Sequence, residues 1–333
     1  MKEKDIKNQL DEEKNTEVVE NTAPQEEIKE EPKVDDKPYF EVIEDKRKAF
    51  FHSYVVNRRI GNILMFVTVA VAVGVMLMVT ADQVPYLPII GWIIAGVALL
   101  GMVVYFFINK KKQPEKGQNY ISSVVKIMND KAFEDKDFSD LVFDEKQKLE
   151  LQDLVGDGVY KDASQIRSRN VVRGIYNGHH FLYGEAALMR QQVNRKQQTP
   201  PLFVGKYISM PNDLDFNGRF IVVNKNPKEP LDVPNDIEDL EVLEEKESFV
   251  IYGPKDSSIH KYVRKEILTM LENIAIDAHL LNVNVVFWKG HSAAYLSYDD
   301  ASMSVPFDKP FDKNTFEQSV RDVMVCFKSL LGK

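Results

Sequence analysis

Residues 60–80 read IGNILMFVTVAVAVGVMLMVT, and residues 88–108 read PIIGWIIAGVALLGMVVYFFI. Neither stretch contains an Asp, Glu, Lys or Arg. At about 1.5 Å of rise per residue, each is long enough as a helix to cross a hydrocarbon core of about 30 Å. Two buried helices of a soluble protein are the alternative, but such helices rarely run this far without a charge. The sequence therefore predicts transmembrane helices at 60–80 and 88–109, joined by a short extracytoplasmic loop at 81–87.

Basic residues flank this hairpin on both sides and are absent from its loop. The loop carries one acid, Asp82, and no Lys or Arg. Under the positive-inside rule, this asymmetry predicts that both termini are cytoplasmic and that the protein is an integral, two-span protein of the cell membrane. The basic residues lie in a juxtamembrane segment at 39–59 and just after the second span: Lys46, Arg47, Lys48, Arg58, Arg59, Lys110, Lys111, Lys112 and Lys116.

The spans lack the residues that transport requires. Pores and carriers normally place an ionisable side chain or a broken helix inside the membrane, and the polar positions within residues 60–80 are Asn62, Thr68 and Thr80. Small residues four positions apart favour packing of the hairpin on itself rather than oligomerisation, and leave the oligomeric state open. These pairs are Ala70 with Gly74 and Gly91 with Ala95. The spans read as an anchor.

Charge and cysteine content exclude several classes of protein. The chain has 333 residues and a formal charge of −8, so it lacks the surplus of positive charge that binding of nucleic acid requires. Its single cysteine, Cys326, excludes a disulfide framework and a Cys-rich zinc module. Residues 1–38 hold 13 acidic and 7 basic residues and no aromatic residue, which predicts a disordered acidic tail.

Residues 117–333 are long enough for a domain with its own core, predicted to be cytosolic, autonomous and α+β with a mostly antiparallel sheet. Residues 119–168 read as helical because apolar residues such as Ile121, Val125 and Met128 recur at helical spacing. Asn177-Gly178 between two apolar runs predicts a β-hairpin with strands at 171–176 and 179–185.

The rest of the domain continues this alternation of strands and helices. The connection at 225–247 is acidic and reads as a surface loop with a short helix near 236–245. Ser257 or Ser258 is predicted to cap the helix at 257–276. The remaining predicted elements are strands at 202–209, 218–224, 248–252, 283–288 and 292–298, and helices at 257–276 and 314–331.

No residue can be assigned as catalytic, cofactor-binding or metal-binding. His179 and Glu185 share a strand face and His180 points away, as on an ordinary hairpin. The other candidates are His260, His279 and His291, which lack ligand spacing, Cys326 in the apolar register of the last helix, and the pairs Asp213/Asp215 and Asp299/Asp300, which suit ordinary turns. No phosphate-binding loop, nucleophile elbow or HExxH sequence is present, and no cofactor is implied.

Three short motifs that follow the two spans resemble a known family. They are Gly174-Ile-Tyr-x-Gly178-x-x-Phe181, Phe203-x-Gly205 and Phe249-x-Ile-Tyr252-Gly253. In order and spacing they are similar to a bacterial family of membrane-anchored domains of unknown function (domain of unknown function thirty-one thirty-seven). The chain departs from that family at Val263-Arg264-Lys265, where the family tends to show Leu-Thr-Pro. The resemblance implies no activity and no catalytic residue, and it suggests a membrane protein of the LemA type as a partner.

Two classes of function fit this sequence. The favoured one is a non-enzymatic scaffold or protein-interaction module held at the inner face of the membrane. The alternative is a ligand sensor or an unrecognised enzyme acting near the membrane. A pocket with an apolar lining and convergent polar groups would favour the alternative, and a flat or sheet-edge surface would favour the scaffold.

Overall fold

The computed structural model describes residues 37–80, 87–143, 147–156, 158–191, 200–225, 239–274, 276, 279–299, 305 and 307–331. Three predictions fall wholly or mostly outside these residues. They are the acidic tail at 1–38, the loop at 81–87 and the first part of the connection at 225–247.

Two long helices form an antiparallel hairpin. Helix α1 spans Tyr39–Thr80 and helix α2 spans Leu87–Ala132. Tyr105 Oη donates a hydrogen bond of 2.7 Å to the backbone carbonyl of Asn57. Both helices are long and apolar enough to cross a membrane. Many large side chains of the described residues between 60 and 108 are exposed, as those of lipid-facing residues are; Phe66, for instance, is 73% exposed.

Two glycines of the predicted spans, Gly61 and Gly91, face the other helix. A Cβ at Gly91 would lie 3.4 Å from the Val75 side chain, so the glycine lets the two helices approach closely there. Gly74 has no such neighbour within 4 Å. The packing of Val75 on Gly91 agrees with the hairpin packing that the sequence predicts.

Both helices extend well beyond the predicted spans. Helix α1 also contains the basic segment 39–59, and α2 continues through Pro114 to Ala132. A proline inside a helix removes one backbone hydrogen bond and often kinks the helix, but it does not end α2 here. We call residues 39–57 of α1 and 112–132 of α2 the stalk.

The rest of the described chain is built on a nine-stranded antiparallel sheet in the order β1-β2-β3-β4-β9-β8-β5-β7-β6. All of its strand pairs are antiparallel, which confirms the α+β prediction. The strands are β1 Phe138–Phe143, β2 Gln165–Tyr176, β3 His179–Met189, β4 Phe203–Pro211, β5 Arg219–Lys225, β6 Glu241–Glu245, β7 Phe249–Gly253, β8 Leu280–Trp288 and β9 His291–Tyr298.

Each face of the sheet has its own core, because successive side chains of a strand point to opposite faces. On the first face lie helices α4 (Lys265–Glu272) and α5 (Lys313–Leu330), and Phe327 of α5 packs at the centre of an aromatic cluster that includes Phe181. The short helix α3 (Leu151–Val155) and the residues after it cover the second face, with Leu154 fully buried. We call the face under α4 and α5 the helical face.

Three sequence predictions about individual elements are wrong. Residues 119–168 are not one helical region: α2 ends at Ala132, and the strand β1, the short helix α3 and the start of β2 at Gln165 follow. Strand β1 lies at the edge of the sheet and has four exposed residues in a row, so it shows no alternation that would mark a strand. The second part of 236–245 is the edge strand β6 rather than a helix; its Val242 is opposite Tyr252 of β7.

The helix predicted at 257–276 is interrupted. A 3-10 turn at Ile259–Lys261 comes first, and α4 begins at Lys265 after Arg264, whose backbone is extended (ψ 145°). Neither serine caps it as predicted. Ser257 Oγ donates to the Pro254 carbonyl, and Ser258 makes no side-chain cap bond.

A third, smaller core joins the stalk to the sheet-containing part of the chain. Ile43 of α1 and Val124 of α2 are 1% and 0% exposed, respectively. Phe50 stacks on Tyr120 with ring centroids 4.7 Å apart, and Phe307 meets Phe50 edge-on. Residues 117–333 therefore share a core with α1, and their autonomous folding stays a prediction.

Candidate functional site

A cavity of about 380 Å³ lies where the stalk meets the helical face of the sheet. Its walls come from α2, from strands of the sheet, and from the segment 305–312 that leads into α5. Ligand pockets in proteins typically measure about 300–1,000 Å³, so this volume is at the small end of that range. Polar groups from the sheet and α5 form its floor, and the apolar part of its wall comes from Val125, Met128, Val305, Phe311 and Phe316.

Lys206 is the central polar residue of the floor. It lies on β4, where strand alternation places it on the helical face together with Ile208 and Met210. Its Nζ donates to Ser319 Oγ of α5 and lies 5.1 Å from the centre of the Tyr298 ring. Burial lowers the pKa of Lys206, because removing an ammonium from water disfavours its charged form.

Gly205 allows the close approach of strands that brings Lys206 and Tyr298 together. A Cβ at this position would overlap the carbonyl oxygen of Leu296 on β9. Strands β4 and β9 pair here, with Lys206 opposite Leu296. Tyr298, two residues after Leu296, therefore lies on the same sheet face as Lys206.

Glu185 of β3 lies beside Lys206, but its carboxylate is hydrogen-bonded to other residues. Its Oε2 accepts a 2.7 Å bond from Arg169 Nε, and its Oε1 accepts a 3.3 Å bond from Asn170 Nδ2. Asn170 is held in turn by Asn129 of the stalk, whose Nδ2 donates to Asn170 Oδ1 at 2.7 Å. The backbone of Asn170 has φ of 54°, a left-handed conformation that asparagine tolerates well, within an irregular part of the β2–β3 pairing. This network ties the stalk to the floor of the cavity.

The segment that closes the cavity on the α5 side is fixed where it meets α5. Asp312 caps α5: its Oδ1 accepts a 3.1 Å bond from the backbone N–H of Thr315, and this bond lowers the pKa of the carboxyl group. The backbone N–H of Phe311 donates to Glu44 Oε2 of the stalk at 3.3 Å. The wall of the cavity is therefore held by α1 as well as by its own helix.

The structure places three of the candidates from the sequence at this cavity: Glu185, His279 and Asp299. His279 and Asp299 are at its rim, joined by a backbone bond in which Asp299 N–H donates to the His279 carbonyl at 3.0 Å. Neither forms a metal site. Among the described residues, no group of three or more His, Cys, Asp or Glu could hold a metal ion.

The other candidates among the described residues lie apart from the cavity. His260 pairs with Glu244 at 2.9 Å, and Asp215 pairs with Lys289 at 2.7 Å. His291 lies against Trp288, and burial lowers its pKa. Cys326 is buried, and burial raises the pKa of its thiol. The remaining candidates are His179 and His180 at the β2–β3 hairpin, Asp213 before β5, and Asp300, which is outside the described residues.

Sequence reasoning missed Lys206, Tyr298 and Ser319. One signal was present, because Lys206 is the only charged residue in the predicted strand 202–209 and follows a glycine. A charge in the middle of an apolar strand must either face solvent or be held by partners. The partners come from β9 and α5, and the sequence alone does not bring those elements together.

Comparisons with known proteins leave the function to be inferred from this site. No family model and no curated protein sequence matches the chain. One similar solved structure is the crystal structure of the mycobacterial trehalose monomycolate transport factor A, TtfA. It is 11% identical, with a TM-score of 0.34, over 63% of this chain and 97% of that one. A similarity this low carries no argument, and the resemblance to a family of membrane-anchored domains stays a prediction.

Proposed function

We propose that this chain is a membrane-anchored ligand-binding module whose cavity faces the cytosol. One observation carries the proposal: the cavity combines an apolar wall with convergent polar side chains, Lys206, Tyr298 and Ser319, from three separate elements. Such a combination is the usual composition of a small-molecule site. Of the two functions that fit the sequence, it favours the ligand sensor over the scaffold.

The anchor and the orientation complete the proposal. Two helices of sufficient length and apolarity precede the sheet, and Lys and Arg residues flank them on both sides. The positive-inside rule then assigns both termini to the cytosol. The cavity is built partly from α2, the same helix that carries the second span, so a bound ligand would contact a helix that continues into the membrane. A single helix would therefore connect a bound ligand to the membrane, as a sensor requires.

Filling the cavity tests the proposal. Val125 lines the cavity, whereas Ile121 lies one turn earlier on α2, is 37% exposed and is outside the cavity lining. In full-length protein reconstituted in lipid nanodiscs, ligand-observed NMR with a fragment library should detect binders. Val125→Trp should abolish their signals, and the matched variant Ile121→Trp should retain them. A library in which no signal depends on Val125 would contradict the proposal.

A scaffold role is the second candidate, and edge strand β1 favours it. Leu141 and Val142 are 43% and 57% exposed on a strand with one neighbour in the sheet. Exposed edges of this kind accept an added strand from a partner. Crosslinking and pull-down from native membranes should then recover a protein, with LemA-type membrane proteins as the expected class, and Leu141→Lys/Val142→Lys should lose it.

A further inference from the structure

The charge balance around Lys206 points to the chemistry of the ligand. Among the described residues, no carboxylate lies within 4.0 Å of Lys206 Nζ, which is the distance limit for an ion pair. Its direct contacts are the Ser319 hydroxyl and the Tyr298 ring. Two acids, Glu185 of β3 and Asp322 of α5, act on Lys206 only through longer-range electrostatics. Glu185 already binds Arg169 and Asn170. Lys206 therefore brings to the floor a positive charge that no carboxylate of the described residues contacts directly.

Such a charge is costly without a counter-ion. Taking an ammonium group out of water is unfavourable unless an anion and further hydrogen bonds replace its hydration. Ser319 and Tyr298 supply a hydroxyl and a ring face, with Ser319 Oγ donating to Tyr298 Oη at 3.4 Å. Both are neutral, so an anionic group that enters through the cavity would supply the direct ion pair that Lys206 lacks among the described residues.

The remainder of the cavity limits what can carry that charge. Its wall beyond the floor is apolar, with Val125 and Met128 from α2 and Phe311 and Phe316 from the α5 side. The rim carries two acids, Asp299 and Asp312, and one lysine, Lys309, and the two acids would repel a ligand with several negative charges. One anionic group on an apolar body matches both features.

The position of the cavity indicates a ligand from solution rather than a bilayer lipid. Val125 lies 16 residues beyond Asn109, the last residue of the predicted second span. At about 1.5 Å per residue along the helix, that is about 24 Å from the membrane end of α2. A lipid would have to leave the bilayer to reach Lys206.

We infer that the cavity binds a small monocarboxylate with an apolar body, its carboxylate on Lys206 and Ser319 and its body against α2 and Phe316. This inference rests on the proposed function, because it names the ligand class of the same cavity. Lys206→Met removes the charge and keeps most of the side-chain volume, so it separates recognition of charge from occupancy of the cavity.

The experiment compares three compounds that share one apolar body. They are 3-phenylpropionate, 3-phenylpropionamide and 3-phenylpropylamine, each titrated into full-length protein in nanodiscs of neutral lipid and followed by ligand-observed NMR. The acid should bind best, and Lys206→Met should weaken it about tenfold or more, as expected for a lost charge-assisted hydrogen bond. The amide should bind Lys206→Met at least as well as the unaltered protein.

The outcomes separate this inference from the proposal on which it rests. If the amine or the amide binds more tightly than the acid, and Val125→Trp abolishes that binding, the ligand class is wrong and the ligand-binding function stands. Hexanoate and hexylamine form a second pair with one apolar body. If hexylamine binds more tightly than hexanoate, the ligand class is equally wrong. If neither these compounds nor a fragment library gives a signal that depends on Val125, both statements fail.

Discussion

Arg47 Nη1 of helix α1 donates a hydrogen bond of 3.0 Å to the backbone carbonyl of Phe307, 260 residues later in the chain. Glu44 holds the guanidinium from the other side, accepting from Nε and Nη2 at 2.7 and 2.6 Å. The same carboxylate accepts the N–H of Phe311. Two stalk side chains therefore fix the backbone of the segment that forms a wall of the cavity, and a displacement of α1 would move that wall.

Replacing Arg47 should loosen this wall. Arg47→Gln removes the bond to Phe307 and leaves the Glu44 carboxylate with a weaker partner, a loss of about 1–3 kcal/mol for a charge-assisted, partly buried contact. We expect faster amide hydrogen exchange over residues 307–312 with little change in β8. The measurement is hydrogen exchange with mass spectrometry on full-length protein in nanodiscs.

Lys48→Gln is the matched control, because Lys48 is 65% exposed and lies 4.0 Å from the same Glu44 carboxylate. An exposed pair of this kind contributes about 0–1 kcal/mol, so exchange should stay as in the unaltered protein. Equal exchange in Arg47→Gln and Lys48→Gln would mean that the stalk does not hold the wall.

Removing the charge of Lys206 should stabilise the ligand-free protein or leave its stability unchanged. Lys206→Met deletes the ammonium of a half-buried lysine that has no carboxylate within ion-pair distance among the described residues, and it also removes the contacts with Ser319 and Tyr298. We expect the free energy of unfolding to rise by up to about 2 kcal/mol. Lys289→Met, at an exposed pair with Asp215, should change it by less than about 0.5 kcal/mol. A marked loss of stability in Lys206→Met would show that the lysine has a structural role.

The advantage of Lys206→Met should shrink as the pH rises. Burial lowers the pKa of Lys206 below the 10.5 of a free lysine. Below the folded-state pKa, both states are protonated and the full cost of the buried charge is present. Between the folded-state pKa and 10.5 the unfolded state binds more protons, so the stability of the unaltered protein rises with pH. Thermal unfolding of the two proteins from pH 7 to pH 10 measures the difference, and a difference that widens with pH would contradict this account.

Local patterns in the sequence were sufficient for much of the fold. The spans could be predicted because a run of this length without a charge has few alternative structures. The β2–β3 hairpin followed from Asn177-Gly178, and both residues indeed have positive φ, 48° and 82°. Each of these features depends on a stretch of about twenty residues, within which hydrophobic periodicity and turn-forming residues determine the local structure directly.

The candidate site could not be predicted in this way, because its residues are distant in sequence. Lys206 and Ser319 are 113 positions apart, and their contact depends on β4 pairing with β9 and on α5 covering that face. Arg47 shows a second limit. Its charge was sufficient as a topology signal, so no pattern in the sequence indicated the largely buried contact with Phe307 that the structure reveals.

The predicted topology can be tested with reporters. A reporter active only outside the cytosol should be silent when fused after Lys333 and active when inserted between Val84 and Pro85. The reason is that Lys and Arg resist translocation, and they flank the hairpin but are absent from its loop. A cytosolic reporter at the same two positions provides the reciprocal measurement. The opposite pattern would place the cavity outside the cytosol.

The stalk should contribute directly to the stability of the rest of the described chain. A fragment of residues 117–333 keeps Tyr120 and Val124 but lacks α1, so it exposes the surface that Ile43 covers. We compare it with a variant in which residues 38–57 are joined to residues 110–333 by six Gly/Ser residues, which span about 13 Å. The joined variant restores the small core, and burial of Ile43 alone is worth about 1.5–3 kcal/mol. It should therefore unfold at higher denaturant concentration than the fragment.

Substitution at Ile43 provides the control for this comparison. Ile43 is 1% exposed, so Ile43→Asp in the joined variant would bury an unpaired carboxylate and prevent α1 from docking. Its denaturation midpoint should fall back to that of the 117–333 fragment. Glu41→Asp, at an exposed position of the same helix, should leave the midpoint unchanged. If the fragment and the joined variant have the same denaturation midpoint, the core that the stalk forms with Phe307 and Phe311 adds no stability. Residues 117–333 would then fold autonomously, and the stalk would be only a spacer.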